Sequence, residues 1–165
     1  MIISNKMQDA INEQINAELY SAYLYLSMTA YFHSIGLSGF ANWMQKQAEE
    51  EYEHAQKFSH YIVERGGRVL LSAIKAPATE WKSPLDVFEN SYSHELMVTS
   101  LIYKLVDIAS AEKDYATVEM LNWFVKEQVE EEDNALTIRD RIKSITDSKG
   151  ALLYIDKELG KRGRE

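Results

Sequence analysis

The residues best placed to do chemistry lie in the stretch Glu49-Glu50-Glu51-Tyr52-Glu53-His54. Read as a helix, steps of four and three put Phe40, Met44, Gln47, Glu51, His54, Phe58 and Tyr61 on one face. That face is apolar at both ends, so Glu51 and His54 take consecutive core positions. A charge there is costly unless it is paired or coordinated.

The same rule applies to three other helical patterns. One gives Ile11, Ile15, Glu18, Ala22, Tyr25, Thr29 and Phe32; another gives Phe88, Tyr92, Glu95, Thr99, Ile102, Val106 and Ala109. The last gives Leu121, Phe124, Gln128, Glu131, Ala135, Ile138 and Ile142. Each stripe is interrupted by a carboxylate at a comparable distance along its helix. In a bundle of near-equal helices, Glu18, Glu51, His54, Glu95, Gln128 and Glu131 should meet in one mid-height layer.

Taken singly, these residues have plain explanations. A Glu in an acidic helix is usually on the solvated face, as Glu49, Glu50, Glu53 and Glu132 would be. A lone core His is more often hydrogen-bonded than a ligand, and Tyr25 is by default a core aromatic with a satisfied hydroxyl. Taken together they conflict: buried carboxylates repel one another, and desolvation costs several kcal/mol for each ion. Multivalent cations remove the conflict. Oxygen ligands with one imidazole suit iron, manganese or zinc rather than copper. Four carboxylates are too many for one ion and about right for a bridged pair, as in di-iron carboxylate bundles. Two ferrous ions sharing a carboxylate can deliver two electrons to dioxygen, with Tyr25 and Trp123 as possible further donors.

The elements that must position this layer are set by Gly and Pro. A first helix is expected from Asn5 to Ser34, stopped at Gly36, and a second from Ser38, as N-cap, to Arg65, stopped at Gly66-Gly67. A third runs from about Leu85 to Glu112, where Glu112-Lys113-Asp114 interrupts it, and a fourth from Tyr115 to Ile145. Ala151 to Leu159 reads as a short fifth helix before a loose basic tail of Lys161, Arg162 and Arg164. Short connections make the first and last long pairs antiparallel. The middle linker, 66–85, holds both prolines. A helix of about 28 residues is roughly 42 Å long, and about twenty extended residues can reach about 65 Å. The linker can therefore run the length of the bundle, and Val69, Leu70, Leu71 and Ile74 favour its packing there.

Composition agrees. The 165 residues suit one domain, and seven Gly with two Pro leave few helix breakers. A net charge of −8 argues against nucleic acid. There is no cysteine, which rules out disulfides and thiolate metal sites. No signal peptide or apolar run of spanning length is legible, so no membrane partner and a cytoplasmic location are expected.

Five segments, in order, resemble a prokaryotic non-haem ferritin over nearly the whole chain. They are Glu13-Gln-Ile-Asn-Ala-Glu18-Leu-Tyr20, Ala48-Glu-Glu-Glu51-Tyr-Glu-His54, Tyr92-Ser-His-Glu95, Trp123-Phe-Val-Lys-Glu127-Gln128-Val-Glu130-Glu131 and Tyr154-Ile-Asp-Lys-Glu-Leu159. The resemblance implies an all-α, ferritin-like four-helix bundle, with one long crossover between helices 2 and 3 and a short fifth helix, as a single domain over 1–165. It also implies a ferroxidase centre. Glu18, Glu51 and His54 would bind one iron, Glu51 would bridge, and Glu95 and Glu131 would complete the second. Gln128 and Tyr25 would sit close by, Gln128 orienting bound oxygen species or water. A third iron position would map to Glu50, Glu127 and Glu130. Family members form a hollow shell of 24 subunits, oxidise Fe(II) with dioxygen or hydrogen peroxide, and keep the ferric mineral inside. Glu53 would face the interior, and the fifth helix would line the four-fold axis.

Departures from related families sharpen the reading. Haem-containing bacterioferritins and rubrerythrins carry a second Glu-x-x-His on the fourth helix; here Asn134 follows Glu131 by three residues. The bacterioferritin haem needs Met beside the bridging Glu, and this chain has Tyr52, so no haem is expected. Positions corresponding to the acidic three-fold channel of animal ferritins are Val118 and Leu121, which leaves the route of iron entry open. Three alternatives compete with a storage ferroxidase. A rubrerythrin-type oxidase or peroxidase requires the second His and a Cys-rich site. A DNA-protecting mini-ferritin lacks the layer inside the bundle. A metal-free interaction module would have apolar residues there.

Overall fold

The structure, a computed structural model, describes residues 2–145 and 147–163. Five helices follow in order: α1 (Asn5–Ser34), α2 (Ser38–Glu64), α3 (Pro84–Ala111), α4 (Tyr115–Ser144) and α5 (Lys149–Leu159). There is no strand among the described residues. Ser4, Ser83, Asp114 and Ser148 each cap a helix start by accepting a backbone N–H. α1 is followed by Gly36 at φ 77° and α2 by Gly66 at φ 70°, a left-handed conformation that suits glycine. The N–H of Gly67 then donates to the Ile62 carbonyl, closing a Schellman turn.

α1 packs on α2 and α3 on α4, as the short connections require. The crossover runs back along α1; Trp81, near its end, packs against Tyr31, but the apolar residues at its start mostly do not face the core. Of these, Leu70, Leu71 and Ile74 are exposed, and only Val69 packs on the core. Polar side chains of α1 hold the strap instead. Asn12 donates to the Arg68 carbonyl and accepts from the Leu70 N–H; Asn16 donates to the carbonyls of Ser72 and Ala73, and Ser27 to that of Ala78. Extended backbone leaves its peptide groups unpaired, and three polar side chains on one helix satisfy four of its carbonyls and one N–H.

α2 also starts differently from expectation. Ser38 is its first residue, and Leu37, at the N-cap position, makes no side-chain bond. The cap comes from α5: Asp156 Oδ1 accepts the N–H groups of Gly39 (2.8 Å) and Phe40 (2.9 Å). Asn42 of α2 returns the contact, donating to the carbonyls of Leu159 and Arg162 at the end of α5. The two helices approach so closely that a Cβ on Gly39 would lie 1.6 Å from the Asp156 carbonyl oxygen. The tail beyond α5 is therefore tethered rather than loose as far as Arg162; Arg164 lies outside the described residues.

All four stripes face the interior, with only Tyr92 and Val106 less than fully buried. The core is divided. One apolar cluster gathers Tyr25, Phe32, Phe40, Met44 and Phe88, and the other gathers Met7, Ile11, Phe58, Ile102 and Phe124. The acidic layer lies between them along every stripe.

Candidate metal centre

α1 contributes Glu18, 1% exposed, with one oxygen held by Gln14 Nε2 at 2.8 Å. Its other oxygen, Oε2, is buried without a hydrogen-bond partner. α2 contributes Glu51 and His54, with His54 Nδ1 3.4 Å from Glu51 Oε2. α3 contributes Glu95, which accepts the Tyr25 hydroxyl and, at 3.3 Å, the Gln128 amide. α4 contributes Gln128 and Glu131, the latter bonded by Gln47.

These side chains converge into three groups whose ligand atoms lie within 4.8 Å of one another: Glu18, Glu51 and His54; Glu51, Glu95 and Glu131; and His54, Glu127 and Glu131. Glu51 belongs to the first two, so two ions placed in them would share it. Of the residues named for a third position, only Glu127 joins a group; its Oε1 lies 4.0 Å from His54 Nε2. Glu130 is exposed, and Glu50 bonds Arg162 Nη2 at 2.6 Å.

Burial dominates the electrostatics. It pushes the Glu18 and Glu51 carboxyls well above the usual carboxylate range, with Glu51 adding to the shift of Glu18, and Glu95 and Glu131 to that of Glu51. Burial also raises Glu95, and it carries Glu131 up to about 8 with help from Glu95. The Tyr25 hydroxyl is raised well above its ordinary value by burial and by the Glu95 charge. A cation in the layer would reverse these shifts by favouring the ionised carboxylates. The buried, unpaired Glu18 oxygen beside Glu51 and His54 fits a metal ligand better than a core residue.

A profile of the ferritin-like domain family matches residues 8–145. The chain belongs to the ferritin family. It is 50% identical over 161 residues to the bacterial non-heme ferritin of Bacteroides fragilis (strain 638R), spanning 98% of this chain and 100% of that one. With the bacterial non-heme ferritin of Staphylococcus saprophyticus the identity is 42%, covering 98% of this chain and 96% of the relative. An open-pore ferritin from the archaeon Archaeoglobus fulgidus superposes with a TM-score of 0.96 at 56% identity, over 97% of this chain and 98% of that one. The architecture is thus the ferritin four-helix bundle with its short C-terminal helix.

Within this ferritin bundle, two positions read from the sequence need correction. Leu121 is fully buried in the core, so it cannot line a channel. Asn134 is exposed and is not the counterpart of His54; the buried pair three residues apart on α4 is Gln128 and Glu131.

Three further residues gain roles here. Gln14 precedes Glu18 by four residues and Gln47 precedes Glu51 by four, and each amide donates to its Glu, at 2.8 Å and 3.4 Å. That repeated helical spacing was a readable signal. His94, one residue before Glu95, bonds Ser21 at 2.8 Å, and burial lowers its pKa to about 4. Nothing in its spacing marks it, because its partner is on another helix. Trp123 lies 5.5 Å from the His54 ring, edge to face, and Lys57 Nζ caps its outer face at 3.8 Å.

Proposed function

We propose that the layer binds Fe(II) as substrate in pairs and oxidises it, and that the ferric product is stored inside a hollow shell of 24 copies of this single-domain chain. The observation that carries the reading is the sharing of Glu51 between two adjacent ligand groups. Glu18, Glu51 and His54 take one ion; Glu51, Glu95 and Glu131 take the other. Each Fe(II) gives up one electron, and dioxygen with two protons becomes hydrogen peroxide; peroxide itself can serve as oxidant, leaving water. Gln128 orients the oxygen species, and Tyr25, bonded to Glu95, holds that carboxylate in place. Glu127, with Glu50 and Glu130, supplies a third, looser iron position on the way out of the centre. Glu53, exposed on α2, serves mineral nucleation, and α5 lines the four-fold axis.

The shell carries no haem, since Tyr52 follows the bridging Glu51. No helix among the described residues is long and apolar enough to cross a membrane. We assign the protein to the cytoplasm, with neither membrane nor nucleic acid as partner.

The test is aerobic addition of Fe(II) to the metal-free protein, following ferric absorbance together with particle mass. The wild type should oxidise iron much faster than buffer as a particle of 24 subunits. Glu51→Ala and His54→Ala should lose the rapid phase and keep the shell. A rate no faster than buffer, or wild-type rates in both variants, would overturn the assignment.

A further inference from the structure

Arg162 lies on the tail just beyond α5, far in sequence from the layer, yet its guanidinium reaches the back of it. Nη1 donates to the Trp43 carbonyl at 3.2 Å and to Gln47 Oε1 at 3.1 Å, and Nη2 donates to Glu50 Oε2 at 2.6 Å. Its planar group lies over the Trp43 ring, 4.5 Å from the centroid. Gln47 is fully buried, and its amide nitrogen faces Glu51 at 3.4 Å and bonds Glu131. Only one orientation of that amide serves both ends. Reversed, it would set its nitrogen against a guanidinium and its oxygen against two carboxylates. Arg162 therefore fixes Gln47, and Gln47 fixes two carboxylates of the second ligand group. Glu50 is near enough for its charge to raise the Glu131 carboxyl, yet it joins no ligand group and pairs with Arg162 instead.

We propose that Arg162 is an internal cation of the centre: it restrains Glu50, presets Gln47 against Glu51 and Glu131, and is displaced by a divalent ion that takes Glu50 as ligand. The inference rests on reading the layer as a metal centre. An arriving ion therefore competes with the positive charge of the guanidinium for Glu50. The guanidinium's planar fork spans an amide oxygen and a carboxylate at once, which one ammonium cannot do with the same geometry. The reciprocal Asp156 and Asn42 contacts between α2 and α5 bring the tail into reach.

The test uses Zn(II), a redox-silent ion that accepts oxygen and imidazole ligands. It is titrated calorimetrically into the assembled, metal-free protein carrying Trp81→Phe and Trp123→Phe. Trp43 is then the sole indole, since the chain has three Trp. Filling of the weakest class of sites should change Trp43 emission to that of Arg162→Ala. In Arg162→Ala that class should bind about three- to tenfold tighter, a modest gain because the lost ion pair is partly exposed to solvent. Arg162→Lys should fall between the two. Equal affinity in wild type and Arg162→Ala, or Trp43 emission indifferent to Zn(II), would overturn the proposal. The two readings fail separately: if Glu51→Ala and His54→Ala leave the tighter sites intact, the layer is not the metal centre. If they lose those sites while Arg162→Ala matches wild type, only the role of Arg162 is wrong.

Discussion

Glu131 sits where burial opposes its charge, and the metal-free protein should carry the consequence in its pH dependence. Its carboxyl is raised from an ordinary 4.5 to about 8, so the folded state holds a proton that the unfolded chain has released. That contribution to stability is complete below about pH 4.5 and is lost as pH rises towards 8. Glu18, Glu51 and Glu95 shift in the same direction, again through burial. His94 acts oppositely: lowered from 6.5 to about 4, it withdraws stability as pH falls below 6.5. The window from about pH 6.5 to 8 therefore belongs to the carboxylates. The guanidinium midpoint of the metal-free protein should fall across it, less so in Glu131→Gln. A midpoint that rises across that window would contradict the electrostatic picture of the layer.

Among the elements, α5 and α2 depend on one another more than their separation in sequence implies. Asp156 supplies the cap that Ser38 does not, so Asp156→Ala should cost about 1 kcal/mol of stability, the usual loss for a missing N-cap. Denaturant midpoints would register it; an unchanged midpoint would mean that water replaces the carboxylate at no cost. This contact also marks where sequence reading stops. Helix positions, the antiparallel pairs and the layer were legible because they follow from a local period, from Gly and Pro, and from chain reach. Glu18, Glu51, Glu95 and Glu131 stood out because each breaks an apolar stripe. The Asp156 cap, the Asn12 and Asn16 bonds to the crossover and the reach of Arg162 follow no period. They depend on where two distant backbones come together, and an apolar run such as Leu70-Leu71 pointed the wrong way because its residues face outward.

At the scale of the whole molecule, the bundle is two apolar cores separated by an acidic floor. Such a floor makes sense as a coordination site: burial holds its carboxyls above their ordinary range, and a Glu18 oxygen there has no hydrogen-bond partner. The crossover, zipped to α1, keeps α3 parallel to α2 and so brings Glu95 level with Glu51. The most direct test is anomalous diffraction at the iron edge from crystals soaked anaerobically in Fe(II). Two strong peaks should lie within each subunit, one beside Glu18, Glu51 and His54, the other beside Glu51, Glu95 and Glu131, with Glu51 touching both and a weaker third near Glu127. Iron found only between subunits, or no peak among these side chains, would contradict the account.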